Sequence, residues 1–142
     1  MFTKFARTRQ TSGRGNCYIY AVGSRRKHCV LLAEDDPGLR QLLDEVLTND
    51  GFKVVSAENG RDALREANEY RGVIDLLVTD VEMPQVDGFD LQEQLRQLRP
   101  GTKLLVISGA LHSDIKGEDF PLLRKPFLPT EFREKVRQIL AH

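Results

Sequence analysis

Several polar residues of this chain sit where short apolar runs end. Glu34, Asp35 and Asp36 follow "CVLLA", Asp80 closes "LLVTD", Ser108 closes "KLLVIS", and Lys125 follows "FPLLR". Carboxylates brought close together repel one another and resist joint ionisation unless a cation intervenes. Oxygen ligands with no His or Cys beside them favour a hard divalent ion such as Mg²⁺, which keeps waters and accepts phosphate oxygens as further ligands. A lysine facing the same point adds a positive charge suited to an anion such as a phosphoryl group. A carboxylate nucleophile, Mg²⁺ and a lysine clamp are together the parts required for phosphoryl transfer onto an aspartate.

Those residues meet only if the fold gathers them. "CVLLA" (29–33) is a continuous apolar run, as expected of a strand covered on both faces. In "PGLRQLLDEVLTNDG", Leu39, Leu42, Leu43, Val46 and Leu47 recur at helical spacing and Gly51 is the stop. "KVVSA" (53–57) reads as strand and "GRDALREANEY" (60–70) as helix. "VIDLLVTD" (73–80) reads as strand, "GFDLQEQLRQLR" (88–99) as a helix stopped by Pro100-Gly101, and "KLLVIS" (103–108) as strand. Residues 112–118 have room only for a short or irregular fourth helix. "FPLLRK" (120–125) is a weak fifth strand, and "PTEFREKVRQIL" (129–140) a final helix opened by Pro129 and Thr130.

This alternation implies an α/β, doubly wound, five-stranded parallel sheet with helices on both faces and right-handed crossovers. Ligands of such sheets bind outside the carboxyl ends of the strands. The strand-terminal acids, Ser108 and Lys125 therefore converge on one edge, and Asp80 ends its strand so as to project a carboxylate into the shared crevice.

A length of 142 residues fits one domain with a single sheet, and 40% hydrophobic with 30% charged residues describes a soluble globular chain. No apolar run approaches the roughly 20 residues of a membrane span, so no membrane association is expected. The net charge of zero hides an asymmetry. Residues 1–28 hold seven of the 21 basic residues and no acid, leaving 14 bases against all 21 acids in the remainder. We read 1–28 as a basic, poorly ordered extension and 29–142 as the folded domain. A nucleic-acid or anionic-lipid contact is the alternative for such a charge run. The patch "CYIYAV" is too short, and too rich in tyrosine, for a signal peptide. Cys17 and Cys29 are read as reduced thiols, in keeping with a cytoplasmic location.

Four motifs, in order and each at a strand end, carry a family resemblance: "LLAEDD", "LLVTDVEMPQVDGFDL", "LLVISGA" and "RKPF". Over residues 29–141 the chain resembles the receiver domain of two-component response regulators. The resemblance implies a flavodoxin-like sheet of order 2-1-3-4-5. It implies that Asp80 accepts a phosphoryl group from a phosphohistidine, and that Glu34 and Asp35 hold Mg²⁺ with Asp80 and the backbone carbonyl of Glu82. Lys125 matches the lysine that contacts the phosphoryl group, followed by Pro126 where receivers often carry a cis peptide. Ser108 matches the hydroxyl that moves toward a bound phosphoryl oxygen, with Gly109 beside it keeping that approach open. Asp36 matches no ligand position and is better read as the cap of the helix starting at Pro37.

The implied partners are a sensor histidine kinase or phosphotransfer protein and an output protein whose identity the sequence does not give. Homodimerisation through residues 110–140 is a family habit. Receivers often couple the hydroxyl movement to an aromatic ring three residues before the lysine; that switch position here is Leu122, with Phe120 nearby. Beyond self-phosphorylation and slow self-dephosphorylation, no enzymatic turnover is expected. No DNA-binding segment is recognised. A receiver-like interaction module that works without phosphate is the alternative, motivated by Leu122 and the short 108–125 interval. A Mg²⁺-dependent phosphatase is disfavoured because Glu82 stands where such enzymes carry a second aspartate.

Overall fold

In the computed structural model, residues 26–81, 88–109 and 120–141 are described. The elements run β1 (Cys29–Ala33), α1 (Pro37–Asn49), β2 (Lys53–Ala57), α2 (Gly60–Glu69), β3 (Leu76–Asp80), α3 (Gly88–Leu98), β4 (Lys103–Ser108), β5 (Leu122–Arg124) and α4 (Pro129–Leu140). All strand pairs are parallel, and the sheet order is β2-β1-β3-β4-β5. Residues 112–118, where a short fourth helix is expected, and Glu82 lie outside the described residues.

Side-chain alternation explains why β1 is apolar throughout. Cys29, Leu31 and Ala33 of β1 enter one core, with Leu77, Ala63, Ala67, Leu91 and Leu95. Val30 and Leu32 enter the other, with Leu43, Leu47, Val78, Ile107, Phe132 and Val136. Successive residues of a strand point to opposite faces, so a strand between two helical layers has no side chain left for water. Burying one large aliphatic side chain stabilises a fold by about 1.5–3 kcal/mol, and both helical layers are held in this way.

Local chemistry sets the helix boundaries. Asp36 caps α1, its carboxylate accepting from the Gly38 N–H at 3.0 Å with Pro37 at the first helical position. The same helix ends at Gly51, whose φ of 92° is one that residues with a β-carbon rarely adopt. Asn59 caps α2 through the Asp62 N–H at 2.8 Å. Leu128 offers α4 no side-chain cap, but Glu131 reaches back to the Leu128 N–H at 2.7 Å.

Two strands are shorter than their apolar patterns. β3 begins at Leu76 rather than Val73, which is 55% exposed. The segment before it is held by Arg99, whose guanidinium donates to the carbonyls of Ala67 (2.9 Å), Tyr70 (2.5 Å) and Gly72 (2.6 Å). β5 covers only 122–124, at the sheet edge.

Candidate functional site

The sheet register brings three strand ends into line. Asp80, the last residue of β3, pairs with Ile107 of β4, one residue before Ser108. The Glu34 N–H donates to the Ala57 carbonyl at 3.1 Å, extending the β1–β2 ladder past the end of β1 and setting the Glu34 backbone at the same edge. The Lys125 N–H donates to the Ser108 carbonyl at 2.8 Å, so β4 and β5 stay paired up to the residue that delivers the ammonium. The Lys125–Pro126 peptide bond is cis.

The structure gathers Glu34, Asp35, Asp80 and Lys125. A carboxylate oxygen from each acid lies within 4.8 Å of the others. Lys125 Nζ donates to Asp80 Oδ2 at 2.6 Å and stands 3.5 Å from Glu34 Oε1. Their environments differ sharply: Glu34 is 1% exposed and Asp80 5%, whereas Asp35 is open to water. Ser108, 1% exposed, ends the neighbouring strand. Asp36 turns away to cap α1, as its sequence position suggests. A β-carbon at Gly109 would meet Lys125 Cβ and Cδ at 3.8 Å, an ordinary contact, so crowding by that lysine is not what requires a glycine there.

Burial dominates the electrostatics. It drives the Glu34 pKa up to about 7, with the Asp80 charge adding to the rise, while the Asp36 N–H and Lys125 oppose it. Burial also works against the Lys125 ammonium, yet the hydrogen bond and charge of Asp80, with Glu34 behind them, hold its pKa above the usual lysine value.

One buried atom reports on what the site can hold. Among the described residues Glu34 Oε1 accepts no hydrogen bond, and its nearest cation is the Lys125 ammonium at 3.5 Å. A buried carboxylate oxygen that shares its one ammonium with a second carboxylate is under-compensated, and a small cation among the three acids removes that penalty. The donor set is all oxygen, which suits Mg²⁺. Glu34, Asp35 and Asp80 thus fit a hard divalent ion.

Two other positions qualify the sequence reading. Leu122, the position read from the sequence as the switch, opens β5 opposite Val106 and is half-buried. Arg40 has the appearance of a solvated helix charge in the sequence, yet its guanidinium donates to the Glu34 carbonyl at 2.8 Å. Its only signal in sequence is its place one turn past the Asp36 cap.

A doubly wound parallel sheet with acids and a lysine at its carboxyl edge defines a class of small α/β domains that bind ligands at the strand ends. Within that class the family follows from comparison. A model of the response regulator receiver domain matches residues 30–137, and this chain belongs to that family, whose members are signalling domains of two-component systems rather than conventional enzymes. The response regulator receiver protein CpdR of Brucella abortus (strain 2308) is 32% identical over 116 residues, covering 78% of this chain and 95% of CpdR. The transcriptional regulatory protein GlrR of Escherichia coli (strain K12) is 38% identical over 79 residues, 56% of this chain. The chain spans only 17% of GlrR and 56% of the probable transcriptional regulator ycf29 of Porphyra purpurea. Among solved structures, the receiver domain of the hybrid histidine kinase CckA is 32% identical with a TM-score of 0.70, covering 79% of this chain and 98% of that one. The chemotaxis protein CheY4 of Vibrio cholerae is 27% identical with a TM-score of 0.74, covering 81% of this chain and 100% of that one. Among the described residues no helix is long and apolar enough to cross a membrane.

Proposed function

We propose that the chain is a phosphoacceptor module of a two-component phosphorelay in the cytoplasm. Asp80 takes a phosphoryl group from a phosphohistidine on a sensor histidine kinase or phosphotransfer protein. An oxygen of the Asp80 carboxylate attacks phosphorus, the P–N bond breaks, and the imidazole nitrogen leaves with its electron pair and takes up a proton. Glu34, Asp35 and Asp80, with the backbone carbonyl of Glu82, would hold Mg²⁺. When bound, that ion supplies positive charge for the phosphoryl oxygens.

The other residues act around that transfer. Lys125 releases part of its hold on Asp80 and pairs with the incoming anion. Ser108 places its hydroxyl on a phosphoryl oxygen, and this movement favours one of two packings of the 108–125 region, in which Leu122 takes the place of an aromatic switch. The resulting surface binds an output protein.

The observation that carries this reading is the contact of Lys125 Nζ with Asp80 Oδ2 at 2.6 Å, beside an acid cluster whose ligand atoms lie within 4.8 Å of one another. The test is the intact mass of the protein incubated with a small phosphodonor, with and without Mg²⁺, alongside Asp80→Asn. A Mg²⁺-dependent phosphoryl adduct that disappears in the variant is expected. An adduct that persists in Asp80→Asn, or none from any donor with the fold intact, rules the reading out.

A further inference from the structure

Glu34 is the acid whose placement the cluster depends on most, since water can neither solvate nor reorient it. All but one of its polar atoms are held. Its N–H donates to the Ala57 carbonyl (3.1 Å), its Oε2 accepts from the Asp36 N–H (3.1 Å), and its carbonyl accepts from the Arg40 guanidinium (2.8 Å). Among the described residues Oε1 alone accepts no hydrogen bond; it lies in the middle of the acids, 3.5 Å from the Lys125 ammonium. Arg40 grips this turn twice, because its own backbone N–H also donates to the Asp36 carbonyl at 2.9 Å.

The Glu34 carbonyl belongs to the peptide unit that joins Glu34 to Asp35. Fixing that peptide plane narrows the directions in which both side chains leave the chain, because it is the unit that the two Cα atoms share. Asp35 is exposed and no ladder bond of the sheet reaches it, so this plane is a backbone restraint on a carboxylate that otherwise only its neighbouring acids limit. Groups of this kind, which orient ligands without touching the ion, commonly set metal affinity.

We infer that Arg40 is a positioning residue: its guanidinium holds the Glu34–Asp35 peptide so that both carboxylates face a divalent cation. This rests on the metal site of the proposed function. The sign of the effect separates positioning from simple charge. A guanidinium acting only through its charge repels a divalent ion, so its removal would tighten binding. A guanidinium acting by position leaves the acids loose when removed, and binding weakens.

Calorimetric titration of the full chain with MgCl₂ tests this, using wild type, Arg40→Met, which retains the aliphatic stem, and Arg40→Lys, which retains one donor. Arg40→Met is expected to bind Mg²⁺ about 10-fold more weakly, with Arg40→Lys in between. The Mg²⁺ concentration for half-maximal phosphoryl labelling rises by the same factor, while labelling at saturating Mg²⁺ is retained. Thermal unfolding in EDTA identifies any general loss of fold, and Arg40→Gln carries the same expectation where Arg40→Met is too unstable to titrate. Unchanged or tighter binding in the variant overturns the inference. A wild type that takes up no Mg²⁺ overturns the metal site itself, and the inference with it.

Discussion

Replacing Lys125 with methionine removes the cation that stands between Asp80 and Glu34. Its ammonium lies 2.6 Å from one carboxylate oxygen and 3.5 Å from the other. At an effective dielectric near 20, each contact corresponds to about 5–6 kcal/mol of gross attraction, most of it offset by desolvation of the three groups. Deleting one partner of a fully buried pair costs about 3–5 kcal/mol. Because the Lys125 side chain is 29% exposed, water replaces part of the lost charge, and a cost of about 2–3 kcal/mol is expected. Urea unfolding in EDTA measures it directly. Mg²⁺ at about 100 times its Kd stabilises a folded protein by about 2.7 kcal/mol. The variant, with one positive charge fewer at the site, binds the ion more tightly and gains more from it. The deficit therefore shrinks when Mg²⁺ replaces EDTA, even as phosphoryl labelling of the variant fails. A variant as stable as wild type in EDTA, or a deficit that Mg²⁺ leaves unchanged, would refute the claim that Lys125 and a divalent ion neutralise the same carboxylates.

Two further outcomes concern the opposite pole of the sheet. The Asp75 carboxyl is held below the usual carboxylate range by the Arg26 guanidinium and the Cys29 N–H, so its contribution to stability is fully present above about pH 4 and lost as pH falls through its lowered folded-state pKa. The urea-midpoint advantage of wild type over Asp75→Asn is accordingly large at pH 7 and vanishes on acidification; an advantage that grows toward low pH would contradict the assignment. Arg99→Ala leaves the carbonyls of Ala67, Tyr70 and Gly72 without their donor, at a cost of about 2–3 kcal/mol in chemical unfolding, and Arg99→Lys recovers little because three acceptors need the planar fork.

What the sequence could and could not reveal follows from which interactions are local. The runs at 29–33, 53–57 and 103–108 coincide with β1, β2 and β4; β1 is apolar along its whole length because it lies between two apolar layers, whereas β2, at the sheet edge, is legible from its β-branched residues. Val73 also looks like strand, yet it lies outside β3 and exposed, next to a Gly72 carbonyl held by Arg99 just past α3, a contact between distant parts of the chain that periodicity does not encode. At the site, the strand-end rule brings Glu34, Asp80 and Lys125 together without coordinates, since each follows an apolar run in a parallel sheet. It does not reveal that Glu34 is sealed from water while its neighbour Asp35 is not. The β1–β2 ladder continues for one more hydrogen bond, from Glu34 to Ala57, and this non-local pairing is likewise not encoded in the acid run itself. Arg40 was invisible for a similar reason: its function lies in where a long side chain folds back, and residue type alone does not specify that.

Parallel strands joined by helices have a directional consequence. Each helix that follows a strand starts at the edge where that strand ends, so α1 begins at Pro37, next to Asp36, and α4 at Pro129, just past Lys125. Aligned peptide dipoles give each helix N-terminus about half a positive elementary charge, felt within the first turn. At α1 this end meets the acids directly, since the N–H of the capping residue Asp36 donates to Glu34 Oε2, and no substitution of a side chain removes that donor. Connectivity thus brings a backbone donor to the edge where the acids gather.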